Sequence, residues 1–259
     1  MAQKNRPAAE VVKAARSADK ITTQKLIDGL LTDFVELHGD RGSGDDPAII
    51  GGVGLLGARP VTIIATQKGE TVEDKIATHY GDPEPEGYRK ALRLMRQANK
   101  FGRPIVTLIN TAGAYPGADA EAHGQGEAIA ALLEASYDLK VPFIAVIFGE
   151  GGSGGALALA CADEVWMFEN AIYSVLSPEG FASILWKDSQ KADEAADLMK
   201  LTPNDLLDMK IVDQIISEPT NQDRLVKTLK KKLMLKLADL SELEPDDLIE
   251  KRVARFRQF

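Results

Sequence analysis

The sequence predicts an α/β fold with mostly parallel strands, and three observations lead there. First, an apolar, β-rich run follows a proline three times: VTIIAT after Pro60, IVTLIN after Pro104 and FIAVIF after Pro142. Second, each run ends in a polar or glycine-bearing turn, QKGE, TAGAYPG and GEGGSGG. Third, helical periodicity fills the intervals, which are roughly 40 residues long, enough for a strand, a helix and a return to the next parallel strand. The runs are apolar nearly throughout rather than alternating, the pattern of strands covered on both faces.

The elements follow in chain order. Residues 7–20 and 22–38 read as helices. In the second, Thr22 or Thr23 caps the start, Leu26, Leu30, Phe34 and Leu37 recur at helical spacing, and Gly39 ends it. HGDRGSGDDPAIIGGVGLLGARP is a loop feeding strand-like pieces with turn glycines. Glu86 to Phe101 places Tyr88, Leu92, Met95 and Ala98 on one stripe, and Gly124 to Leu139 does the same with Ile129, Leu132, Leu133 and Ser136. After residue 196 the pattern is helical. Asp223 to Leu240 carries Leu225, Leu229 and Leu233 on one side. Pro245 to Phe259 opens with Pro-Asp-Asp and finishes with Lys251, Arg252, Arg255 and Arg257, a charge order that suits the helix dipole. With no linker rich in Pro, Gly or Ser, residues 1–259 are expected to form one domain: N-terminal helices over 1–38, a strand-and-helix core over 40–196, and C-terminal helices over 197–259.

Composition narrows the function classes. The chain has 259 residues, 44% of them hydrophobic, so a sizeable core is available. A formal charge of −8, with pI near 5.1, argues against nucleic-acid binding through a broad basic face. A single cysteine, Cys161, excludes a disulfide within the chain and a Cys-rich zinc site, and no other metal site is expected. The start resembles no signal peptide, and no apolar run is long enough to span a bilayer. The expectation is a soluble protein of the cytoplasm.

The stretch GEGGSGGALALA, Gly149 to Ala160, carries the chemistry. Five glycines in seven residues are a poor way to build a core. Gly149, Gly151 and Gly154 fit G-x-G-x-x-G after a strand and before a helix, and Glu169 follows 20 residues after Gly149, near the dinucleotide-binding fingerprint. Two features disfavour that reading: the helix has room for only about ten residues before Asp163, short for such a crossover, and a second glycine-bearing turn, TAGAYPG, lies at the end of the preceding strand. A P-loop is excluded, because Gly155-Ala156 stand where Lys and Ser/Thr belong. The physical alternative is an oxyanion hole. Main-chain N–H groups in the first turn of a helix have no partner within it and carry partial positive charge. Each well-aimed donor stabilises a developing oxyanion by about 3–4 kcal/mol. Two glycine-bearing turns on successive strand ends, one with Gly113 and Ala114 and the other with Gly151, Gly152, Gly154 and Gly155, suggest a shared site built from backbone. The glycines alone leave packing, dinucleotide binding and anion stabilisation open.

Other polar residues read more plainly. Arg89, Lys90, Arg93 and Arg96 could meet the phosphates of a ligand but fit a solvated helix face better. His123, without partners in the sequence, is a polar helix-start residue before it is a ligand. Ser177, Glu179 and Lys187 lack a neighbouring base and read as a structural segment near the site or a subunit contact. Cys161 belongs to the core. Met199-Lys200 and Met209-Lys210 lack the second Met of a biotin-attachment sequence, so biotinylation of this chain is rejected.

ELHGDR, EGYRKALRLM, TAGAYPG, GQGEAIA, GEGGSGGALALA and SPEGFASILWKD occur in an order that resembles the alpha subunit of bacterial acetyl-CoA carboxylase carboxyltransferase, from about residue 22 to the C-terminus. Ala112 stands where that family often has Pro, and Ala122-His123 where many members have Glu-Arg. The resemblance implies a crotonase-like (ClpP/crotonase) superhelix of ββα repeats with flanking N- and C-terminal helices, the core being 40–196. It implies transfer of a carboxyl group from carboxybiotin, carried on the separate biotin carboxyl carrier protein and charged by biotin carboxylase, to acetyl-CoA, giving malonyl-CoA for fatty acid synthesis. A carboxyltransferase beta subunit would bind most of the acetyl-CoA, in an alpha2-beta2 assembly. Carboxybiotin gives up CO2, leaving negative charge on its ureido oxygen. The freed nitrogen takes the α-proton of acetyl-CoA, and the enolate captures CO2. The pair matching the family's ureido-oxygen site is Gly154-Gly155, with no side-chain base required. Carboxyl transfer to another acyl-CoA is the variant of this reading, and dinucleotide-dependent oxidoreduction the alternative to it.

Overall fold

The computed structural model describes residues 6–258. Eight strands among them form one sheet in the order β1-β2-β3-β4-β5-β6-β8, with β7 added beside β5. The chain enters through α1 (Ala8–Ala15) and α2 (Thr23–Leu30). Thr22 is the residue that caps α2, its side chain accepting from the Lys25 N–H at 3.2 Å. The helix expected over 22–38 stops at Leu30. Thr32–Glu36 is instead β1, antiparallel to β2 (Ile49–Leu56), which is antiparallel to β3 (Arg59–Thr66). Phe34 and Leu37 sit at helical spacing from Leu26 and Leu30, but the backbone turns out of the helix at Leu31 and takes a positive φ of 52° at Asp33. A strand that pairs with β2 outcompeted a periodicity only two residues deep.

The three proline-led runs are β3, β4 (Ile105–Thr111) and β5 (Phe143–Gly152), adjacent and parallel. Pro104 and Pro142 sit just outside β4 and β5, where a missing N–H costs nothing, and their carbonyls accept from Thr62 and Ile105 at 2.9 and 2.8 Å. Every residue of β4 is buried, as are nine of the ten in β5. α3 (Val72–Ala77) and α4 (Pro85–Lys100) return from β3, and α5 (Ala118–Ala122) and α6 (Gln125–Tyr137) return from β4. The stripe Tyr88, Leu92, Met95, Ala98 is buried against this sheet. β5 leads into α7 (Ser153–Ala160), β6 (Glu164–Phe168) and β7 (Ile172–Ser174). The long β5 pairs its first half with β6 and its last residues, Glu150 to Gly152, with β7.

α8 (Pro178–Trp186), α9 (Ala192–Met199) and α10 (Pro203–Asp208) follow. The expectation of helix alone after residue 196 is corrected by β8 (Gln214–Ile216), which pairs with β6, so the sheet runs past both ends of the expected 40–196 core. Three residues are too few to show a strand period. α11 (Gln222–Leu240) buries Leu225, Leu229 and Leu233 as expected. α12 (Pro245–Phe256) holds a surprise: Arg252 is not a surface cation answering the helix dipole but fully buried. Its guanidinium donates to both oxygens of Asp163 at 2.8 and 2.9 Å and to the carbonyls of Ser136, Leu139 and Val141. It thereby ties the last helix to the α6–β5 connection.

The basic face of α4 is likewise bound rather than solvated. Arg89 donates to Asp40 Oδ2 (2.9 Å), Glu86 Oε1 (2.7 Å) and the His123 carbonyl (2.9 Å). Lys90, 1% exposed, donates to Asp45 and to the Asp46 carbonyl. Arg93 meets the carbonyls of Leu37, His38 and Gly39. Only Arg96 of the four is exposed as expected. Arg89, Lys90 and Arg93 together fasten the 37–46 loop. Within it, burial pushes the Asp40 carboxyl up, but Arg89 and the N–H groups of Gly42, Gly44 and Ser43 outweigh it and hold Asp40 well below the usual carboxylate range.

Two outcomes are expected. Arg252→Ala strands Asp163 and three carbonyls in the interior and lowers unfolding free energy in urea by about 3–5 kcal/mol. Asp40→Asn lowers the melting temperature at pH 7. Because the folded Asp40 pKa is depressed, the stabilisation is full above the unfolded pKa and is lost on acidification, so the wild-type advantage over the variant shrinks progressively below about pH 4; melting curves of both proteins across that range check it.

Candidate functional site: two glycine turns brought together

The register of β4 and β5 sets Thr111 opposite Gly151, so the turns that follow these strands meet. Each glycine of the 149–155 stretch can then be asked what a side chain there would strike. At Gly149 it would strike the Asn110 amide, whose Oδ1 accepts the Glu150 N–H at 3.0 Å. At Gly151 it would press on Tyr173 and Ile147 at 3.0 and 3.1 Å. At Gly152 it would collide with the Ala112 carbonyl. At Gly155 it would lie 2.5 Å from the Ala114 nitrogen and 2.6 Å from the Tyr88 hydroxyl. Gly154 is different. A Cβ there would meet only Ile129 Cγ2, at 4.0 Å, and its backbone has no left-handed φ to favour glycine. Four of the five are glycine because other atoms already fill the place; the fifth faces open space.

Gly154 and Gly155 fall in the first turn of α7, and their N–H groups have no hydrogen-bond partner among the described residues. Gly113 does not supply a third donor as expected: its N–H is committed to Thr111 Oγ1 at 3.0 Å. The Ala114 N–H is unpartnered among the described residues. The turn is held from below by Asp82, which accepts the Ala112 N–H at 3.1 Å and whose carboxyl is pushed up by burial. Gln125 braces its far side, donating to the carbonyls of Pro83 and Tyr115 at 3.0 Å each. Next to Gly154 opens an apolar cavity of about 880 Å3, whose lining includes Leu157, Tyr173, Val175, Phe181 and Leu198.

Glu150, buried on β5 two residues before the turn, is gripped by Lys68 Nζ at 2.6 Å and Arg16 Nε at 2.7 Å. Arg16 also holds Glu179 at 2.7 Å. Burial raises the Glu150 pKa, yet the two cations win and the net shift is downward.

The G-x-G-x-x-G pattern does not form a dinucleotide fingerprint. Gly149 and Gly151 lie inside β5, not in a strand-to-helix turn, and face protein atoms. Glu169 follows β6, its N–H bonded to the Ile216 carbonyl at 2.9 Å. His123 ends α5 and meets Glu86 at 3.0 Å, with its carbonyl on Arg89. Ser177 caps α8, Glu179 serves Arg16, and Lys187 closes that helix in the left-handed region, so the three form no nucleophile set. Cys161 is buried at the end of α7, and burial pushes its thiol up to about 11. Lys200 and Lys210 each have a positive φ at a helix end.

Sequence reasoning passed over Ser153. It takes a φ of +54° between two glycines, at the point where β5 becomes α7, and its side chain is exposed. Gly151 to Gly155 spells G-x-S-x-G, the strained strand-to-helix turn that presents a serine, and that pattern was the available signal. No hydrogen bond reaches Ser153 Oγ among the described residues, and each of the three histidines is engaged elsewhere, His38 with Asp45, His79 with Glu84 and His123 with Glu86. The site therefore offers backbone donors rather than a side-chain base.

The family described as acetyl co-enzyme A carboxylase carboxyltransferase-like matches residues 3–259. The acetyl-coenzyme A carboxylase carboxyl transferase alpha subunits of Streptococcus pneumoniae strains Hungary19A-6 and D39 are each 56% identical over 252 residues, covering 97% of this chain and 99% of theirs. Among solved structures, transcarboxylase 12S with methylmalonyl-coenzyme A and methylmalonic acid bound aligns with a TM-score of 0.68 at 20% identity, over 86% of this chain and 44% of that one. The beta subunit of Pseudomonas aeruginosa geranyl-CoA carboxylase aligns at 0.67 with 15% identity, over 93% and 46%. The chain thus spans under half the length of these structural relatives, and at that identity they speak to the fold, which is crotonase-like. With a family model matching residues 3–259 and 56% identity over nearly its whole length, the chain belongs to the acetyl-CoA carboxylase carboxyltransferase alpha-subunit family.

Proposed function

We propose that this chain is the carboxybiotin-facing half of a carboxyltransferase that makes malonyl-CoA from acetyl-CoA for fatty acid synthesis. Carboxybiotin, borne on a biotin carboxyl carrier protein and charged by biotin carboxylase, supplies the carboxyl group. The N–H groups of Gly154 and Gly155 hold the ureido oxygen as negative charge gathers on it, with the positive end of α7 behind them. The Gly113–Ala114 and Gly151–Gly152 segments wall the site and keep the two turns in contact, Gly113 through its bond to Thr111 rather than as a donor to ligand. Ser153 stands beside them with an unengaged hydroxyl. A carboxyltransferase beta subunit brings acetyl-CoA and covers the apolar cavity next to Gly154, in an alpha2-beta2 assembly of the cytoplasm with residues 1–259 acting as one unit. No helix among the described residues is long and apolar enough to cross a membrane.

The observation that carries this reading is Gly154. Packing accounts for its four neighbours but not for it, because a Cβ at 154 would contact only Ile129. A bare backbone is needed there only if something from outside approaches it.

Gly154→Val tests this. The variant is expected to assemble with its partner subunit and melt within a few degrees of wild type, while malonyl-CoA formation from carboxybiotin falls about 100-fold or more, the scale of losing an oxyanion donor. Wild-type turnover per folded complex in Gly154→Val or Gly154→Ala would instead favour glycines that serve packing alone.

A further inference from the structure

Tyr88 is fully buried on α4, and its hydroxyl has no hydrogen-bond partner among the described residues. Buried polar groups are nearly always paired, and leaving one unpaired is a cost that phenylalanine in the same place would avoid. The hydroxyl lies under the site. A side chain on Gly155 would fall 2.6 Å from it and 2.5 Å from the Ala114 nitrogen, so Tyr88 is wedged where the Gly154–Gly155 and Gly113–Ala114 turns converge. The backbone donors left without partners in this region, the N–H groups of Gly154, Gly155 and Ala114, belong to the same two turns. Burial, with the nearby Asp46 and Asp82 carboxylates, pushes the phenol well above its ordinary range, so it remains an O–H.

We propose that Tyr88 is a positioning residue for carboxyl transfer, its sealed hydroxyl propping Gly155 and the Gly113–Ala114 peptide at the separation the bound ligand requires. It acts through the two turns and does not touch the ligand. Its hydrogen bond forms when the two turns settle around the developing anion. The inference rests on the carboxyltransferase reading above.

The test is Tyr88→Phe in the complete complex with its partner subunit, assayed for malonyl-CoA formation from carboxybiotin. The ring and its packing remain, and a buried unpaired group is removed, so the melting temperature is expected to stay equal or rise. The kcat is expected to fall at least about fivefold with KM for acetyl-CoA within about twofold, the signature of an interaction made only on the way to the transition state. Tyr88→Leu serves as the packing control. It is expected to melt lower, and it calibrates kcat per folded complex should Tyr88→Phe also lose stability. An active wild-type complex whose Tyr88→Phe variant keeps kcat within about twofold would overturn the positioning role. A wild-type complex that makes no malonyl-CoA would overturn the carboxyltransferase reading instead, so the two failures are told apart.

Discussion

Two stretches of backbone approach each other where β4 and β5 end, so closely that the Ala112 carbonyl occupies the place a side chain on Gly152 would need. The rest of the site depends on this contact. It is possible because the two strands are parallel neighbours in register and because the chain omits side chains along the line of approach. It is held because the 111–114 turn is tied to Asp82 and to the Thr111 hydroxyl, while Gln125 holds the carbonyl of Tyr115 just past it. What emerges on the open side is a helix terminus whose first amides are unspent, next to an apolar cavity. A site of that kind stabilises charge by fixed dipoles that need no reorganisation when the charge develops.

The sheet centre was legible in the sequence because each strand there is covered on both faces, and continuous apolar runs after prolines announce that directly. The edges were not. β1 is a five-residue strand with mostly exposed residues, and Phe34 within it and Leu37 just after it continue the helical spacing set by Leu26 and Leu30. Only pairing with β2 decides between the two. β8 is three residues long and is defined by its partner β6 rather than by its own composition. Charged residues misled for the same reason. Arg252, Lys90 and Arg93 carry side chains that belong on a surface, and nothing local reveals that Asp163 or the carbonyls of the 37–46 loop wait within reach.

Of the candidate site, the sequence made legible which turns carry the glycines, since glycine clusters after buried strands have few structural uses. Which of those glycines is crowded and which faces open space was not legible. In the sequence Gly149, Gly151, Gly152, Gly154 and Gly155 are equivalent letters; only the neighbours across the turn separate the crowded ones from the open one. Gly113 shows the converse, a backbone donor that looked available and is taken by the hydroxyl two residues before it. Ser153 went unread because attention to the glycines hid the pattern they make around it.

The four charges Arg16, Lys68, Glu150 and Glu179 sum to zero and are drawn from four separate parts of the chain, the N-terminal segment, the loop after β3, the end of β5 and the start of α8. Glu150 is the one deeply buried member; Arg16 and Lys68 reach it from the surface and Glu179 holds Arg16, so solvent meets the end of β5 through a neutral cluster rather than through a bare carboxylate.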